Sequence, residues 1–391
     1  MQTRVLVLSA SVGAGHLRAA EAVELALRQI APDVEVQNRD PLEFTNAVFR
    51  RVYGQAYLDL VNYFPHFVGY FYDWLEGDGD IRPRKRDRLR QMGQKLNLRS
   101  FVRFLTEGKW SLVINTHFLP ADMIAILRNR GELNLPQVTA CTDFDTHRLW
   151  VNQPCERYFC ATDEGSLHLQ HFGVPATDIE VTGIPIHPVF AEPADRSQCL
   201  IQQGLIGDRP VLLQLCGGFG VGPVEAVYKS LLAVERPVEI AVVCGRNAEL
   251  KEALDRLPTP ERHRVKIFGL TREIDQLMAC ADLVISKPGG LTTSETLARG
   301  LPMVVVNPIP GQESRNSDYL LENGAGVKVN HVCTLTAKLD GLLAQPERLA
   351  QMRAAAKALG HPRAAFDVAR RSLAVIGVEA GAVAAAAAPR G

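Results

Sequence analysis

The sequence predicts an α/β protein with two doubly wound domains, each built around a parallel sheet. One observation is a repeated local order, in which a short buried strand leads through a glycine-containing loop into a helix and then into another buried strand. This order occurs near the start of the chain and again in its second half. The other observation is length, because 391 residues are too many for one ordinary core and fit two domains of typical size. Ligands of such folds bind beyond the carboxyl ends of the strands, so the loops there are the first candidates for function.

The composition narrows the class of protein and its compartment. The formal net charge is zero, which gives no reason to expect a nucleic-acid partner. The eight cysteines form no Cys-x-x-Cys pair and most lie in apolar runs, as expected of buried thiols in a reduced, cytosolic chain. No segment approaches the ~18 unbroken apolar residues of a membrane-spanning helix. Any contact with a membrane is therefore expected to be peripheral.

The first strand and helix place one histidine at the mouth of the N-terminal sheet. Val5–Leu8 is a buried strand, Ser11–His16 is a glycine-containing loop, and Leu17–Ile30 has apolar residues at nearly helical spacing. His16 thus lies near a helix N-terminus, where the helix dipole lowers the pKa of the imidazole and helps to keep it neutral. A neutral imidazole in this position can accept a proton from a substrate hydroxyl. The other interpretation is a structural residue at the helix cap.

Two more predicted strands of the first domain end in polar residues. Leu112–Asn115 is followed by His117, and Gln137–Thr142 is followed by Asp143. Asp143 is a candidate either to orient His16 or to hold a substrate hydroxyl. Taken alone, each of these residues is also what an ordinary strand end carries.

Aromatic residues are concentrated in Phe44–Leu75, shortly before the basic run Arg82–Arg90. Aromatic rings beside a basic cluster are typical of an element that docks on an anionic membrane surface. The alternative is a helical hairpin that packs its rings on the first domain and exposes its basic side to solvent. The candidate docking residues are Tyr63, Phe64, Phe67, Phe71, Trp74, Arg82, Arg84, Lys85 and Arg86.

The second half of the chain repeats the strand–loop–helix order. Val211–Cys216 is a strand that leads into the loop GGFGVG (217–222), and Ile240–Cys244 ends near Arg246, a cation suited to a phosphate. Residues 191–197 have the composition of a linker. The predicted organisation is a first domain over residues 1–190, a second over 200–360, a closing helix over 361–378 and a disordered Ala-rich tail over 379–391.

A strand–loop–helix–strand unit between Ile285 and Asn316 is predicted to hold the ligand of the second domain. A buried strand ends at Ser286, and the sequence KPGG (287–290) interrupts it. A helix over about Ser294–Arg299 and a second buried strand over Pro302–Val306 follow.

The side chains of this unit fit the parts of a nucleotide-sugar. Gly289 and Gly290 allow backbone N–H groups to approach a phosphate at a helix N-terminus. Glu295 can bind two vicinal hydroxyls, as a ribose offers. Gln312 and Glu313 present an amide and a carboxylate suited to sugar hydroxyls. The alternative is a tight turn of any Rossmann-like fold, with Glu295 in solvent.

Several segments together resemble one enzyme family. KPGGLTTSE (287–295) and PIPGQESRN (308–316) resemble the donor-binding signature of glycosyltransferase family 28. More narrowly, SASVGAGH (9–16), TDFDTHRLW (142–150) and VTGIPIHPVF (181–190) resemble monogalactosyldiacylglycerol synthases and processive diacylglycerol glucosyltransferases. The similarity runs over about residues 4–360, and the segments keep their order.

The resemblance implies a GT-B fold, in which two Rossmann-like domains face each other across a cleft. The second domain would bind a UDP-sugar and the first domain diacylglycerol, while the closing helix returns to the first domain. The implied reaction is an inverting single displacement at the anomeric carbon, with His16 as the base, Asp143 in support and a β-glycosyl lipid as the product. No metal or other cofactor is expected, and the enzyme is expected on the cytoplasmic face of the membrane.

The resemblance also assigns the remaining candidate residues. The loop GGFGVG resembles the glycine loop whose backbone faces the donor diphosphate, and Gly269–Thr271 resembles the segment whose backbone reads uracil. His117 lies in a segment that lines the acceptor side of the family's cleft. The candidate donor residues are Gly218, Gly220, Arg246, Gly269, Leu270, Thr271, Gly289, Gly290, Leu291, Thr292, Glu295, Gln312, Glu313 and Asn316.

Three other functions are compatible with parts of this pattern. One is a transferase that uses UDP-N-acetylglucosamine and a lipid-linked acceptor, which the SVGAGH and TDFDTHRLW segments disfavour. Another is a non-hydrolysing UDP-sugar epimerase, against which the aromatic and basic region counts. The third is a silent UDP-sugar sensor, which the presence of His16, Glu295 and Gln312 disfavours.

Overall fold

The computed structural model describes residues 2–11, 14–44, 99–217 and 222–381. Within these residues the chain forms parallel sheets flanked by helices. The strands are β1 Arg4–Leu8, β2 Glu35–Arg39, β3 Leu112–Asn115, β4 Gln137–Ala140, β5 Arg157–Cys160, β6 Ile179–Val181, β7 Val211–Leu215, β8 Glu239–Val243, β9 Arg264–Phe268, β10 Leu283–Ser286, β11 Met303–Val306 and β12 Gly326–Val329. The helices before residue 260 are α1 Ala14–Ile30, α2 Arg99–Glu107, α3 Phe118–Asn129, α4 Asp163–His171, α5 Arg196–Gln203, α6 Val224–Leu232 and α7 Ala248–Asp255. The later helices are α8 Ile274–Cys280, α9 Gly290–Ala298, α10 Gln312–Glu322, α11 Leu335–Leu343, α12 Pro346–Leu359 and α13 Ala364–Val375.

The contacts divide the chain into two compact units. The first unit comprises Met1–Pro188, Pro310–Gln312 and Arg363–Gly391, and the second comprises Val189–Ile309 and Glu313–Pro362. Each unit has its own six-stranded parallel sheet with helices around it. The α/β fold class with two Rossmann-like domains is thus confirmed.

The sheet of the first unit has the strand order β2-β1-β3-β4-β5-β6. Strand β1 pairs with β2 on one side and with β3 on the other, so the strand order reverses between β1 and β3. Strands β3 and β4 are buried at every position, as expected for apolar strands covered by helices on both faces. Helix α13 packs against α1 in this unit, which brings the last described helix back to the first one. The crevice at the β1–β3 switch point is the place where such a sheet binds ligands.

The sheet of the second unit has the order β12-β11-β10-β7-β8-β9. Strand β7 pairs with β8 and with β10, so here the order reverses between β7 and β10. The core consists of the strand residues and the inner faces of helices α6 and α11, among them the fully buried Leu231 and Leu339. Gly217, which follows β7, and the KPGG segment that follows β10 therefore flank the switch point of this unit.

Two predicted boundaries differ from the structure. Helix α9 begins at Gly290 rather than near Ser294, with Gly289 as its N-cap. Glycine is a poor helix former, but its low propensity is a weak preference that tertiary context overrides. The N–H groups of the first turn have no partner within the helix in any case, so a glycine is tolerated at its start. The predicted linker at residues 191–197 overlaps helix α5, because Asp195 accepts hydrogen bonds from Ser197 N and Gln198 N and caps it.

Some predicted features lie outside the described residues. These are most of the aromatic segment after Phe44, the whole basic run, the loop residues 218–221 and the tail from residue 382. The candidate residues concerned are Tyr63, Phe64, Phe67, Phe71, Trp74, Arg82, Arg84, Lys85, Arg86, Gly218 and Gly220.

Candidate active site

His16 lies at the β1–β3 switch point of the first unit, in the first turn of helix α1. Its Nδ1 is 2.6 Å from Thr142 Oγ1 and 3.2 Å from the carbonyl oxygen of Thr116. Thr116 in turn donates its hydroxyl to the carbonyl of His16 and its N–H to the carbonyl of Leu8. The imidazole at the start of α1 is thus held by the residue after β3 and by the second residue after β4, and the end of β1 holds Thr116 in turn.

The environment keeps this imidazole neutral. Burial lowers the pKa of His16 below its ordinary value of 6.5, while the charge of Asp143 and the hydrogen bond to Thr116 oppose part of that fall. The direction agrees with the sequence-based expectation, but desolvation is the leading cause. Neutral imidazole is the form that can accept a proton at neutral pH.

His117 supports His16 from the side. It is 2 % exposed and it caps helix α3, because its Nδ1 accepts a hydrogen bond from Leu119 N at 3.0 Å. Its ring meets the ring of His16 edge to face, with centroids 4.6 Å apart, and the ring of Phe118 at 4.2 Å. Burial holds the pKa of His117 well below its usual range, so this ring is neutral as well. The structure therefore places His117 as a packing partner of His16, and the predicted acceptor contact stays a prediction.

Asp143 is anchored by aromatic neighbours. Its Oδ2 accepts a hydrogen bond from Trp150 Nε1 at 2.7 Å and lies 3.4 Å from His147 Nε2. Trp150 is fully buried, and its ring centroid is 6.3 Å from that of His16. Asp143 thus acts on His16 through its charge, while the hydroxyl that contacts His16 belongs to the preceding residue, Thr142.

The candidate donor site of the second unit is built around the N-terminus of helix α9. Gly289 is the N-cap in an extended conformation and makes no side-chain cap. The N–H groups of Gly290, Leu291 and Thr292 have no partner within the helix, because the first N–H groups of any α-helix lack one. Such a terminus is a favourable site for a phosphate group.

Buried polar atoms surround this helix terminus. Glu295, inside α9, is 1 % exposed, and Asn316 donates its Nδ2 to the carbonyl of Pro288 at 2.8 Å. The Oδ1 of Asn316 is buried without a hydrogen-bond partner among the described residues. Buried polar groups are nearly always paired, so this atom fits a site whose partner is a ligand.

Glu313 has an environment unlike that of a surface carboxylate. Its Oε2 accepts a hydrogen bond from Ile309 N at 2.8 Å. Burial raises the pKa of Glu313, and the charge of Lys287 and the Ile309 hydrogen bond partly offset that rise. A Cβ added to Gly289 would lie 4.0 Å from Glu313 Oε1, so the start of α10 and the cap of α9 lie side by side. Gln312 and Glu313 are the first residues of α10 rather than part of a loop.

The other candidate donor residues follow strands β8 and β9. Arg246 is exposed just after β8, where Gly245 adopts a φ of 64° before the Asn247 cap of helix α7. Leu270 is 68 % exposed between Gly269 and Thr271, so the chain at this point offers its backbone and one apolar side chain to solvent. All of these residues lie at the carboxyl edge of the second sheet, where the topology places a ligand.

Sequence reasoning missed several residues at both switch points. In the first unit these are Thr116, Thr142 and Trp150, whose contacts with His16 span more than 99 residues of sequence. In the second unit they are Gln214 and Asn307, which line a pocket at the ends of β7, β10 and β11 together with Lys287. Gln214 carries a buried Oε1 with no hydrogen-bond partner among the described residues. Thr142 lies inside the TDFDTHRLW segment, which was the one sequence signal that could have indicated it.

The described residues contain neither a membrane-spanning helix nor a cluster of metal ligands. None of their helices is long and apolar enough to cross a membrane. No group of three or more His, Cys, Asp or Glu side chains in this part of the chain is arranged to hold a metal ion.

The chain matches two family models and a set of curated relatives. The family model described as monogalactosyldiacylglycerol (MGDG) synthase matches residues 16–186, and that of the glycosyltransferase family 28 C-terminal domain matches residues 224–368. A processive diacylglycerol beta-glucosyltransferase of Bacillus pumilus is 30% identical over 358 residues, which is 91% of this chain and 91% of that protein.

Solved structures show the same fold at lower identity. MurG of Acinetobacter baumannii has a TM-score of 0.63 and 19% identity, and the similarity covers 95% of this chain and 99% of that one. A UDP-GlcNAc 2-epimerase of Neisseria meningitidis, solved with UDP-GlcNAc, has a TM-score of 0.58 and 14% identity over 95% of this chain and all of that one.

The two Rossmann-like units and the family matches define the protein as a glycosyltransferase of the GT-B fold class. The chain belongs to the family 28 glycosyltransferases related to monogalactosyldiacylglycerol synthases and processive diacylglycerol glucosyltransferases. The family resemblance of the sequence motifs is thereby confirmed, as is the prediction of an enzyme.

Proposed function

We propose that this glycosyltransferase moves a hexose from UDP-glucose or UDP-galactose to diacylglycerol and forms a β-glycosyl diacylglycerol. The observation that carries the proposal is the half-buried, neutral imidazole of His16 at the switch point of the first unit. In the proposed reaction the imidazole takes the proton of the acceptor hydroxyl. The hydroxyl oxygen then attacks the anomeric carbon from the side opposite UDP, so the configuration inverts.

The donor half of the proposal rests on the second unit. The N-terminus of α9 and the exposed Arg246 supply positive potential for a diphosphate, and Glu295 supplies a carboxylate for the ribose. As the bond to UDP breaks, negative charge grows on the diphosphate. Backbone N–H groups at Gly289 and Gly290 stabilise that charge without moving, which is how oriented dipoles lower a barrier.

The acceptor half rests on the relatives. The first unit matches the monogalactosyldiacylglycerol synthase model, and the Bacillus pumilus relative is named for diacylglycerol and glucose. Because diacylglycerol resides in a membrane, the enzyme is proposed to work as a peripheral protein at an anionic membrane surface. The cytoplasmic face is proposed because all eight cysteines are free thiols, as in a reducing compartment.

Turnover is proposed to need no metal ion. The two carboxylates of the Asp143-Phe144-Asp145 segment already have partners, since Asp143 bonds Trp150 and Asp145 lies 2.5 Å from His168 Nδ1. The cations and the helix N-terminus of the second unit can stabilise the negative charge of the leaving diphosphate, as a metal ion does in other transferases.

The test is a transfer assay with radiolabelled UDP-sugars, diacylglycerol vesicles and EDTA. A labelled glycolipid from UDP-glucose or UDP-galactose, absent with His16→Ala, supports the proposal and names the sugar. Loss of transfer in EDTA that Mg²⁺ or Mn²⁺ restores would overturn metal independence alone.

Two other outcomes would indicate other functions. Transfer only from UDP-N-acetylglucosamine to a lipid-linked acceptor would indicate an activity like that of a lipid-intermediate transferase. Conversion of the UDP-sugar without any lipid product would indicate an epimerase, which the structural similarity to a UDP-GlcNAc 2-epimerase makes the second candidate.

A further inference from the structure

The Nδ1 of His16 has two oxygen neighbours. Nδ1 faces the protein, where it meets Thr142 Oγ1 at 2.6 Å and the carbonyl oxygen of Thr116 at 3.2 Å. A neutral imidazole carries one proton, so only one nitrogen can act as a base. Which nitrogen holds the proton therefore decides whether His16 can work in the proposed reaction.

The partners of Nδ1 determine the tautomer. A carbonyl oxygen can only accept a hydrogen bond, whereas a threonine hydroxyl can donate or accept. If Nδ1 had no proton, its lone pair would face the lone pairs of Thr116 O. With a proton on Nδ1, both oxygens accept it and the lone pair is left on Nε2.

The Thr116 carbonyl favours a proton on Nδ1, but at 3.2 Å it is the longer of the two contacts and holds that proton only in part. We propose that Thr142 is a positioning residue whose hydroxyl, at 2.6 Å, is the second acceptor that completes the Nδ1–H tautomer of His16 and so presents Nε2 as the base. Thr142 is 5 % exposed, so water does not readily replace its hydroxyl. It directly follows Cys141, whose backbone N–H donates to the carbonyl of Phe159 at 2.8 Å, and it directly precedes Asp143, which is tied to the buried Trp150. The residues on both sides of Thr142 are thus anchored, which fixes the position of its hydroxyl.

The proposal rests on the proposed function and specifies its proton transfer. The acceptor O–H bond breaks and its proton moves to Nε2, while the oxygen lone pair forms the bond to the anomeric carbon. The bond from that carbon to the UDP oxygen breaks, and its electron pair leaves with UDP. The imidazolium that results keeps its Nδ1–H between Thr142 and Thr116, which stabilises the charge as it appears.

A hydroxyl in this place has a different effect from a carboxylate. A carboxylate against Nδ1 would raise the pKa of the imidazole strongly, whereas a neutral hydroxyl orients the ring without adding charge. The carboxylate of Asp143, whose charge acts on His16, is engaged by Trp150 and His147 instead. The arrangement keeps His16 unprotonated and correctly turned at neutral pH.

The experiment compares Thr142→Val, Thr142→Ser and Thr139→Val. Valine keeps the shape of threonine without the hydroxyl, and serine keeps the hydroxyl. Thr139 is the matched control, since it is a fully buried threonine near the end of the same strand whose Oγ1 contacts Cys155 Sγ rather than His16. Thermal melting and UDP binding check that each variant folds.

The first readout is the tautomer of His16 in the free protein, measured by ¹⁵N NMR of histidine-labelled chain and assigned with His16→Ala. We expect Nδ1–H in the wild type, Thr142→Ser and Thr139→Val, and a mixture of tautomers in Thr142→Val. This readout does not depend on any activity, so it tests the proposal even if the chain fails to transfer sugar to lipid. An unchanged tautomer in Thr142→Val would overturn it.

The second readout is the transfer rate. We expect kcat of Thr142→Val to fall about tenfold, the rate equivalent of one buried hydrogen bond, with the KM for UDP-sugar unchanged and with recovery in Thr142→Ser. A fall in Thr142→Ser as large as that in Thr142→Val would mean that the methyl group rather than the hydroxyl matters, and would also overturn the proposal. Should Thr142→Val not fold, Thr142→Ala takes its place in both readouts.

Discussion

The candidate sites of the two units lie at equivalent places in similar sheets, yet they are built differently. In the first unit, a backbone carbonyl and a ring that follow β3 and a hydroxyl that follows β4 converge on one imidazole, and Trp150 packs nearby. In the second unit, the central feature is backbone: a glycine cap, the N-terminus of α9 and the loops after four other strands. The proposed function assigns the chemistry to the first site and the binding of the donor to the second, a division that can be tested separately in each unit.

The largest expected effect comes from removing the imidazole. His16→Ala should lower kcat for transfer by about 10²-fold to 10⁴-fold, the usual contribution of a general base. UDP binding, measured by calorimetry, should stay at the wild-type level because no candidate donor residue is changed. A variant that loses UDP binding along with transfer would break the division between the two units.

The converse change in the second unit is Glu295→Gln. If the carboxylate binds the ribose hydroxyls, its loss should weaken UDP binding roughly 10-fold to 100-fold, the range of a hydrogen bond to a charged group. At saturating donor, kcat should change little, since His16 is untouched.

A matched control uses the ligand rather than the protein. 2′-Deoxy-UDP should bind the wild type more weakly than UDP, and Glu295→Gln should show a smaller difference between the two. Equal discrimination by both proteins would mean that Glu295 does not contact this hydroxyl. Glu252→Gln, an exposed carboxylate on α7, should bind both ligands as the wild type does.

The sequence predicted the second site better than the first for a physical reason. Gly289 and Gly290 lie at the start of a helix, and this local arrangement can be predicted from the nine consecutive residues 287–295. The partners of His16 are far away in the chain, with Thr142 126 positions from it. A local sequence pattern does not show which strand ends lie beside His16 in the folded chain. Residue type alone therefore favoured Asp143, a carboxylate, over the hydroxyl of the neighbouring Thr142.

The fold was predicted along similar lines. Apolar runs located strands such as Leu112–Asn115 to the residue, because a buried parallel strand is apolar throughout. Helix starts were less well predicted, since α9 begins at a glycine and α10 begins at Gln312, within a segment rich in proline and glycine. Tertiary contacts override the weak local preference of such residues.

A smaller effect is expected at Asp143, and it concerns pH. The charge of Asp143 raises the pKa of His16, so Asp143→Asn should lower that pKa further. His16 is active when unprotonated, hence the acid limb of kcat/KM, expected below pH 6.5 in the wild type, should move to lower pH. Asparagine keeps an oxygen for Trp150 Nε1, which limits structural change.

The control for this shift is Asp145→Asn in the same segment. Asp145 pairs with His168 rather than with the His16 cluster, so its acid limb should coincide with that of the wild type. A limb that stays in place in Asp143→Asn, or moves to higher pH, would show that the two residues are not coupled as described.

The smallest effect on transfer is expected from a change in the support of α9. A Cβ at Gly360 would lie 2.5 Å from the carbonyl oxygen of Leu297, so Gly360→Ala forces α12 and the end of α9 apart. The free energy of unfolding should fall by about 1–3 kcal/mol, as for other overpacked sites, and the urea midpoint should fall with it.

Gly341→Ala is the matched control, because nothing lies within 4 Å of its new Cβ inside α11. Its free energy of unfolding should rise by about 0.5–1 kcal/mol. The backbone of α9 is proposed to form the donor site, so Gly360→Ala should also weaken UDP binding while the tautomer of His16 stays unchanged. A changed tautomer would show that the two sites are not independent.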